Sequence, residues 1–269
     1  MDADEQRTIV VTGAATGVGA AVVEQLTERG CKVYAVDIAA VTAADAVHPV
    51  VCDLADRASI DAALAELPGS IDGLVNVAGV AGPEPRDWVV KVNFLGLRHL
   101  SEGVFDRLSN GGAVVSVSST AGRGWERRRE VVEGLLDTDG FDAGVEWLLD
   151  NEGKWAKDPY TFSKQCVTAW SLRESARGAK GAMRVNVVSP GGIDTQLTAS
   201  FRQQMGEAFS DWRKSLIERS AVPAEIAEPV VWLTLGPASW VNGADLIVDR
   251  GIESGDRTGW VDMSEAPGR

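Results

Sequence analysis

The chain has 269 residues, 45% of them hydrophobic, and a formal net charge of −13, which gives ample material for a core and a poor surface for nucleic acid or any polyanion. No stretch reaches the roughly 18 consecutive apolar residues of a membrane span, and the polar, acidic start MDADEQRT is unlike a secretory leader, so a cytoplasmic protein without a membrane span is expected. Three scattered cysteines, Cys31, Cys52 and Cys166, and two histidines, His48 and His99, predict neither a disulfide framework nor a zinc site.

The first β-branched run, Thr8–Val11, leads into the loop Val11-Thr12-Gly13-Ala14-Ala15-Thr16-Gly17-Val18-Gly19, and helical patterning follows over Ala20–Glu28. At such a strand-to-helix turn, glycines permit positive φ and let backbone N–H groups at the helix start approach a pyrophosphate. Taken alone, the loop is equally readable as a glycine turn chosen for tight packing. Val33–Val36 is the second strand, and Asp37 follows it, 18 residues past Gly19. A carboxylate there accepts the ribose hydroxyls of the adenosine half and repels a 2′-phosphate. Ile38, Ala14, Ala15 and Thr16 supply no cation to neutralise one, so the expected cofactor is NAD rather than NADP.

Val47–Val51 is the third strand; Asp53, just beyond it, suits either the adenine amino group or a cap for a helix over Ala55–Leu67. Gly73–Val77 and Ala113–Val117 follow, then Arg184–Val188 and Asp245–Val248. A helix over Phe94–Phe105 carries His99 as a packed or surface imidazole, and Cys52 and Cys166 read as small core residues. Seven strands alternating with helices predict one α/β domain over 1–269, a doubly wound parallel sheet with helices on both faces.

Tyr160 and Lys164 stand four residues apart, which puts a phenol and an ammonium on one helix face. A cation near a phenol favours the phenolate and predicts a lowered tyrosine pKa, useful to a general base or acid near neutrality. The glycine loop, Asp37, Asn76-Val77-Ala78-Gly79, Ser118-Ser119, the Tyr160/Lys164 pair and Pro190-Gly191 occur in an order that resembles the short-chain dehydrogenase/reductase family, from about Arg7 to Gly251.

That resemblance implies a Rossmann-like fold and a set of roles. Ser119 hydrogen-bonds the substrate oxygen, Tyr160 transfers its proton, Lys164 binds the nicotinamide ribose and lowers the Tyr160 pKa, and Asn93 holds a proton-relay water. Gly13, Thr16, Gly17, Val18, Gly19, Asp37, Ile38, Asp53, Leu54, Asn76, Ala78, Gly79, Tyr160, Lys164, Pro190, Gly191, Ile193 and Thr195 are the implied cofactor contacts, Asn76 and Gly79 also supporting the central strands. Ser118 reads as structural. Asn93 is also readable as a buried amide tying a helix to a strand, and Thr195 as a helix cap.

Between Ser119 and Tyr160 lie 41 positions, more than is usual in the family. Val131, Val132, Leu135 and Leu136, then Val145, Leu148 and Leu149, predict two short amphipathic helices within 124–158. This insertion, with Cys-Lys-Val-Tyr-Ala-Val-Asp-Ile, is similar to the bacterial 3α-hydroxysteroid dehydrogenase/carbonyl reductase branch. The resemblance implies a homodimer or homotetramer, the insertion favouring the dimer. Leu197, Phe201, Met205, Phe209 and Trp212 form a stripe in a lid over 191–221, which suits either a cover for a bulky apolar alcohol or ketone or plain core packing. Trp125 and Trp155 are placed to line the same cleft. The tail 252–269 either moves freely or reaches a partner subunit. The expected activity is NAD-dependent oxidation of a hydrophobic secondary alcohol, of steroid or terpenoid type; the rivals are a broad carbonyl reductase and a catalytically silent NAD-binding sensor.

Overall fold

A computed structural model describes residues 6–82, 85–181, 183–194 and 207–267. Every expected strand is present: β1 (Thr8–Thr12), β2 (Lys32–Asp37), β3 (Val47–Val51), β4 (Ile71–Asn76), β5 (Leu108–Val117), β6 (Met183–Pro190) and β7 (Asp245–Val248). They pair in parallel in the order β3-β2-β1-β4-β5-β6-β7. Strand alternation divides the core: Val10 of β1 faces one apolar layer while Ile9 and Val11 face the other, all three at 0% exposure. The order reverses between β1 and β4, which opens a crevice at the carboxyl ends of the strands.

On one face lie α1 (Gly17–Glu28) and α10 (Pro223–Leu235). The other carries α2 (Arg57–Glu66), α3 (Arg86–Val90), a wide π-helical turn (Lys91–Gly96), α4 (Leu97–Phe105) and α8 (Pro159–Gly178). α2 begins after Asp56, whose Oδ1 accepts the Ala58 N–H at 3.0 Å, so Asp53 is not its cap. The predicted Phe94–Phe105 helix is interrupted by the π turn, a distortion that frequently marks functional sites. His99 pairs with Asp61 at 2.7 Å on the surface. Burial pushes the Cys52 thiol up to about 11 and that of Cys166 higher still, as suits inert core residues.

The insertion folds as α5 (Arg129–Leu136), α6 (Gly140–Asp150) and the short α7 (Glu152–Trp155), packed over α4 and α8. It is clasped by Arg98 of α4, which is 2% exposed and feels the Glu102 carboxylate without forming a close ion pair among the described residues. Its guanidinium donates to the Leu135, Leu136, Thr138 and Gly140 carbonyls, where α5 ends. α9 (Glu207–Ile217) and α11 (Ile252–Thr258) stand at the crevice. Within the tail, Ile252, Val261 and Ala266 are buried against this chain. No helix among the described residues is long and apolar enough to cross a membrane.

Candidate active site

The crevice is a cleft of about 1070 Å³, and its floor is made by the residues that follow the strand ends. After β1, Gly13 and Gly17 take φ of +68° and +57°, the left-handed region that suits glycine. A Cβ on Gly13 would stand 2.7 Å from the Ala78 backbone, and one on Gly19 would collide with the Gly13 carbonyl. Thr12 Oγ1 ties the neighbouring turn down by accepting the Val77 and Ala78 N–H groups at 3.1 and 3.2 Å. The result is a bare backbone cradle at the start of α1, lined by Gly13, Thr16, Gly17, Val18 and Gly19. This fits a dinucleotide pyrophosphate.

Asp37, at the end of β2, braces that loop: Oδ2 accepts the Ala15 N–H and Oδ1 the Ala39 N–H, both at 2.9 Å. Each oxygen keeps a further lone pair. Ile38, Asp53 and Leu54 continue the same wall, as do Ala78, Gly79, Pro190, Gly191 and Ile193 elsewhere in the cleft. Asn76 is 1% exposed, is not among the residues lining the cleft and donates to Ser101 Oγ at 2.9 Å, a contact that supports the central strands. Thr195 lies outside the described residues, as do Leu197, Phe201 and Met205.

Asp158 caps α8 by accepting the Thr161 N–H at 3.0 Å, with Pro159 in the first turn. This start sets Tyr160 at the cleft and Lys164 one turn further in, its Nζ 5.9 Å from the phenol ring centroid. The ammonium donates to the Val117 carbonyl at 3.0 Å. Ser119, just past β5, hydrogen-bonds Tyr160 and also accepts the Ala121 N–H at 3.1 Å. Ser118 is structural as expected, bonded to Thr168 Oγ1 at 2.7 Å and to the Lys164 carbonyl at 3.1 Å.

The expected lowering of the Tyr160 pKa is overturned. Burial pushes the phenol up to about 12, against the pull of the Ser119 hydrogen bond and with a further push from Asp158. Burial also brings Lys164 down to about 8. Desolvation therefore outweighs the attraction of an ammonium that faces Val117. Asn93, in the π turn, is the buried amide that ties elements together: Oδ1 accepts the Val80 N–H at 2.7 Å, and Nδ2 donates to the Val80 carbonyl and to Ser163 Oγ, both at 2.9 Å. Both amide protons are engaged, so a relay water would meet this side chain only at its oxygen.

Residues 7–128 match the family described as short chain dehydrogenase, and residues 150–253 match the one described as enoyl-(acyl carrier protein) reductase. A coniferyl-alcohol dehydrogenase from a Pseudomonas species is 32% identical over 254 residues, covering 91% of this chain and 96% of that protein. The chain belongs to the short-chain dehydrogenase/reductase family. A 3-alpha-hydroxysteroid dehydrogenase/carbonyl reductase from Comamonas testosteroni is 29% identical over 257 residues, covering 91% and 96% of the two chains. The crystal structure of the 3-alpha-hydroxysteroid dehydrogenase from Pseudomonas sp. B-0831, complexed with NADH, superposes with a TM-score of 0.73 at 30% identity, over 93% and 98% of the two chains. The likeness to the hydroxysteroid branch is thus confirmed. So is the coarse activity: this is a short-chain dehydrogenase/reductase on a fold that binds a nicotinamide cofactor and acts on alcohols.

Within the short-chain dehydrogenase/reductase cleft, some expectations about the alcohol end fail. Trp155 is 3% exposed and donates to the Leu148 carbonyl, and Trp125 lies under Arg129; neither lines the cleft. The tryptophans that do are Trp88 and Trp212, the latter with its stripe neighbour Phe209. Arg213, Ile252, Glu253 and Asp256 also line it. Sequence gives little sign of the last three, because only the returning chain brings α11 to the cleft. Arg213 carries a weak signal: it falls four residues after Phe209, on the face of the stripe.

Proposed function

We propose that the protein oxidises a bulky, hydrophobic secondary alcohol of steroid or terpenoid type, reversibly, with NAD. The observation that carries the cofactor choice is Asp37, whose charge opposes a 2′-phosphate and whose oxygens retain lone pairs for ribose hydroxyls. NAD, when bound, supplies the nicotinamide carbon that accepts the hydride. The chain's own residues do the remaining work. Ser119 and Tyr160, already bonded to each other, orient the substrate hydroxyl, and Tyr160 takes its proton. Lys164 holds the nicotinamide ribose, and Asn93 fixes the Val80 segment and Ser163 near Lys164. A phenol raised to about 12 is protonated at neutral pH. It is ready to donate to a ketone, whereas alcohol oxidation draws on the phenolate and gains from alkaline conditions.

The relative that acts on coniferyl alcohol favours a second reading, in which the substrate is an aromatic allylic alcohol. The experiment that separates them is NADH absorbance at mildly alkaline pH, with NAD or NADP and a panel of 3α-hydroxysteroids, cyclic terpenols and coniferyl alcohol. NAD-linked turnover of a steroid or terpenol supports the first reading, and coniferyl alcohol alone the second. Equal use of NADP removes the role of Asp37. Unchanged turnover in Tyr160→Phe removes the proposed chemistry, and silence with intact NAD binding would favour a sensor.

A further inference from the structure

The alcohol end of the cleft holds a cation that this proton chemistry does not use. α9 presents Phe209, Trp212, Arg213, Lys214 and Ile217 to the cleft. Phe209, Trp212 and Ile217 set an apolar surface beside the Arg213 guanidinium, and Lys214 of the same helix adds a second cation to this wall. The position of the guanidinium is defined: Nη2 lies 2.7 Å from where a Cβ on Gly191 would stand, and Nη1 lies 3.8 Å from the same point on Gly192. The charge therefore rests over the turn that closes β6.

The counter-charge that acts on Arg213 among the described residues is Asp249. Asp249 serves the start of α11, where Oδ1 accepts the Gly251 N–H and Oδ2 the Glu253 N–H, each at 2.8 Å, and although its oxygens keep further lone pairs it makes no ion pair with Arg213. Two other arginines of the cleft wall are neutralised at close range, Arg123 by Glu253 at 3.2 Å and Arg219 by Glu225 at 2.7 Å. Arg213 makes no ion pair among the described residues. A guanidinium withdrawn from water is costly unless an anion meets it, and in a chain of net charge −13 a local cation is what lets an anion approach.

We propose that the anion arrives with the substrate: the alcohol this cleft takes has an apolar body that ends in a carboxylate or comparable oxyanion, bound by Arg213. The planar fork of arginine suits a carboxylate, and Phe209 and Trp212, with ring centroids 5.8 Å apart, supply the apolar surface beside it. The inference rests on the alcohol-oxidation reading above and adds the charge class of the substrate.

The test compares acids with their methyl esters, which keep the shape and remove the charge. Turnover is measured with a 3α-hydroxysteroid acid and its ester. Independently of turnover, calorimetry measures binding of 4-acetylbenzoate and its methyl ester to the NADH-loaded protein, together with the affinity for NADH itself. The expected result is a preference for the acid of about 10- to 100-fold, erased in Arg213→Met and partly kept in Arg213→Lys, with NADH affinity within about twofold throughout. Acid and ester binding equally, or neither binding, overturns the proposal. So does a parallel loss of NADH affinity in Arg213→Met, which would assign the guanidinium to the cofactor's phosphates. Arg213-dependent binding of 4-acetylbenzoate without turnover of any alcohol would uphold the anion site and sink the oxidation reading instead.

Discussion

Replacing Arg98 by Met removes the clasp between the insertion and the body of the protein. The guanidinium makes five long bonds, at 3.2 to 3.4 Å, to the Leu135, Leu136 and Thr138 carbonyls and, twice, to Thr138 Oγ1, and a shorter one to the Gly140 carbonyl. At about 0.5 to 1 kcal/mol for each long bond and about 2 for the short charge-assisted one, the gross loss is about 4.5 to 7 kcal/mol. Methionine recovers part of it, because a desolvated charge disappears and its side chain packs against Phe94. A net loss of about 3 kcal/mol corresponds to a fall in Tm of about 6 to 12 °C for a chain of this size. The chain runs from α7 directly into the Asp158 cap of α8, and Arg128 bonds both Lys154 and Gln165. A loosened insertion therefore disturbs the first turn that carries Tyr160. Thermal unfolding followed by circular dichroism, with NADH fluorescence titration and steady-state kinetics, should show a lower Tm, a lower kcat and an NADH affinity within about twofold of the parent. A Tm unchanged or raised would refute the reasoning, since it would mean that desolvation of the buried charge cancels everything its carbonyl partners contribute.

Asp37→Ala should weaken NADH binding by about 10- to 100-fold while improving that of NADPH, as measured by fluorescence titration, because charged hydrogen bonds are lost and a repulsion is relieved. Gly19→Ala forces a Cβ into the Gly13 carbonyl, so cofactor binding should fall below detection by the same titration while the far-ultraviolet circular dichroism persists. With Tyr160 raised to about 12, its phenolate fraction grows tenfold per pH unit below that value. The kcat/KM for alcohol oxidation should therefore climb between pH 6 and about 8, while ketone reduction, which uses the protonated phenol, stays level or falls; parallel profiles in the two directions would contradict the role of Tyr160.

The strands were legible because a sheet buried on both faces writes itself as continuous β-branched runs, and Val10 and Val11 must both be apolar although they face different layers. The cofactor half was legible for a related reason: backbone collisions at Gly13 and Gly19, and a carboxylate at a strand end, are local demands that only particular residues meet. Asn76 shows the limit of such reading, because a buried amide looks alike in sequence whether it serves a ligand or Ser101. The titration of Tyr160 was read backwards, since spacing reports the neighbouring ammonium but not the amount of water excluded from both groups. The alcohol end was hardest. Trp125 and Trp155 sit inside the insertion by sequence, yet the insertion turns them away toward α8 and Phe162, and α11 arrives from a distant stretch of chain.

That arrival gives the cleft an asymmetric genealogy. The cleft residues proposed to meet the nucleotide come from the first half of the chain, from α8 and from the turn after β6, whereas Ile252, Glu253 and Asp256 come from a short stretch far along the chain. Point changes or exchanges in that stretch can alter which alcohol enters without passing through a form that has lost its cofactor. Substrate preference in this protein is therefore the part most open to inheritance by small steps.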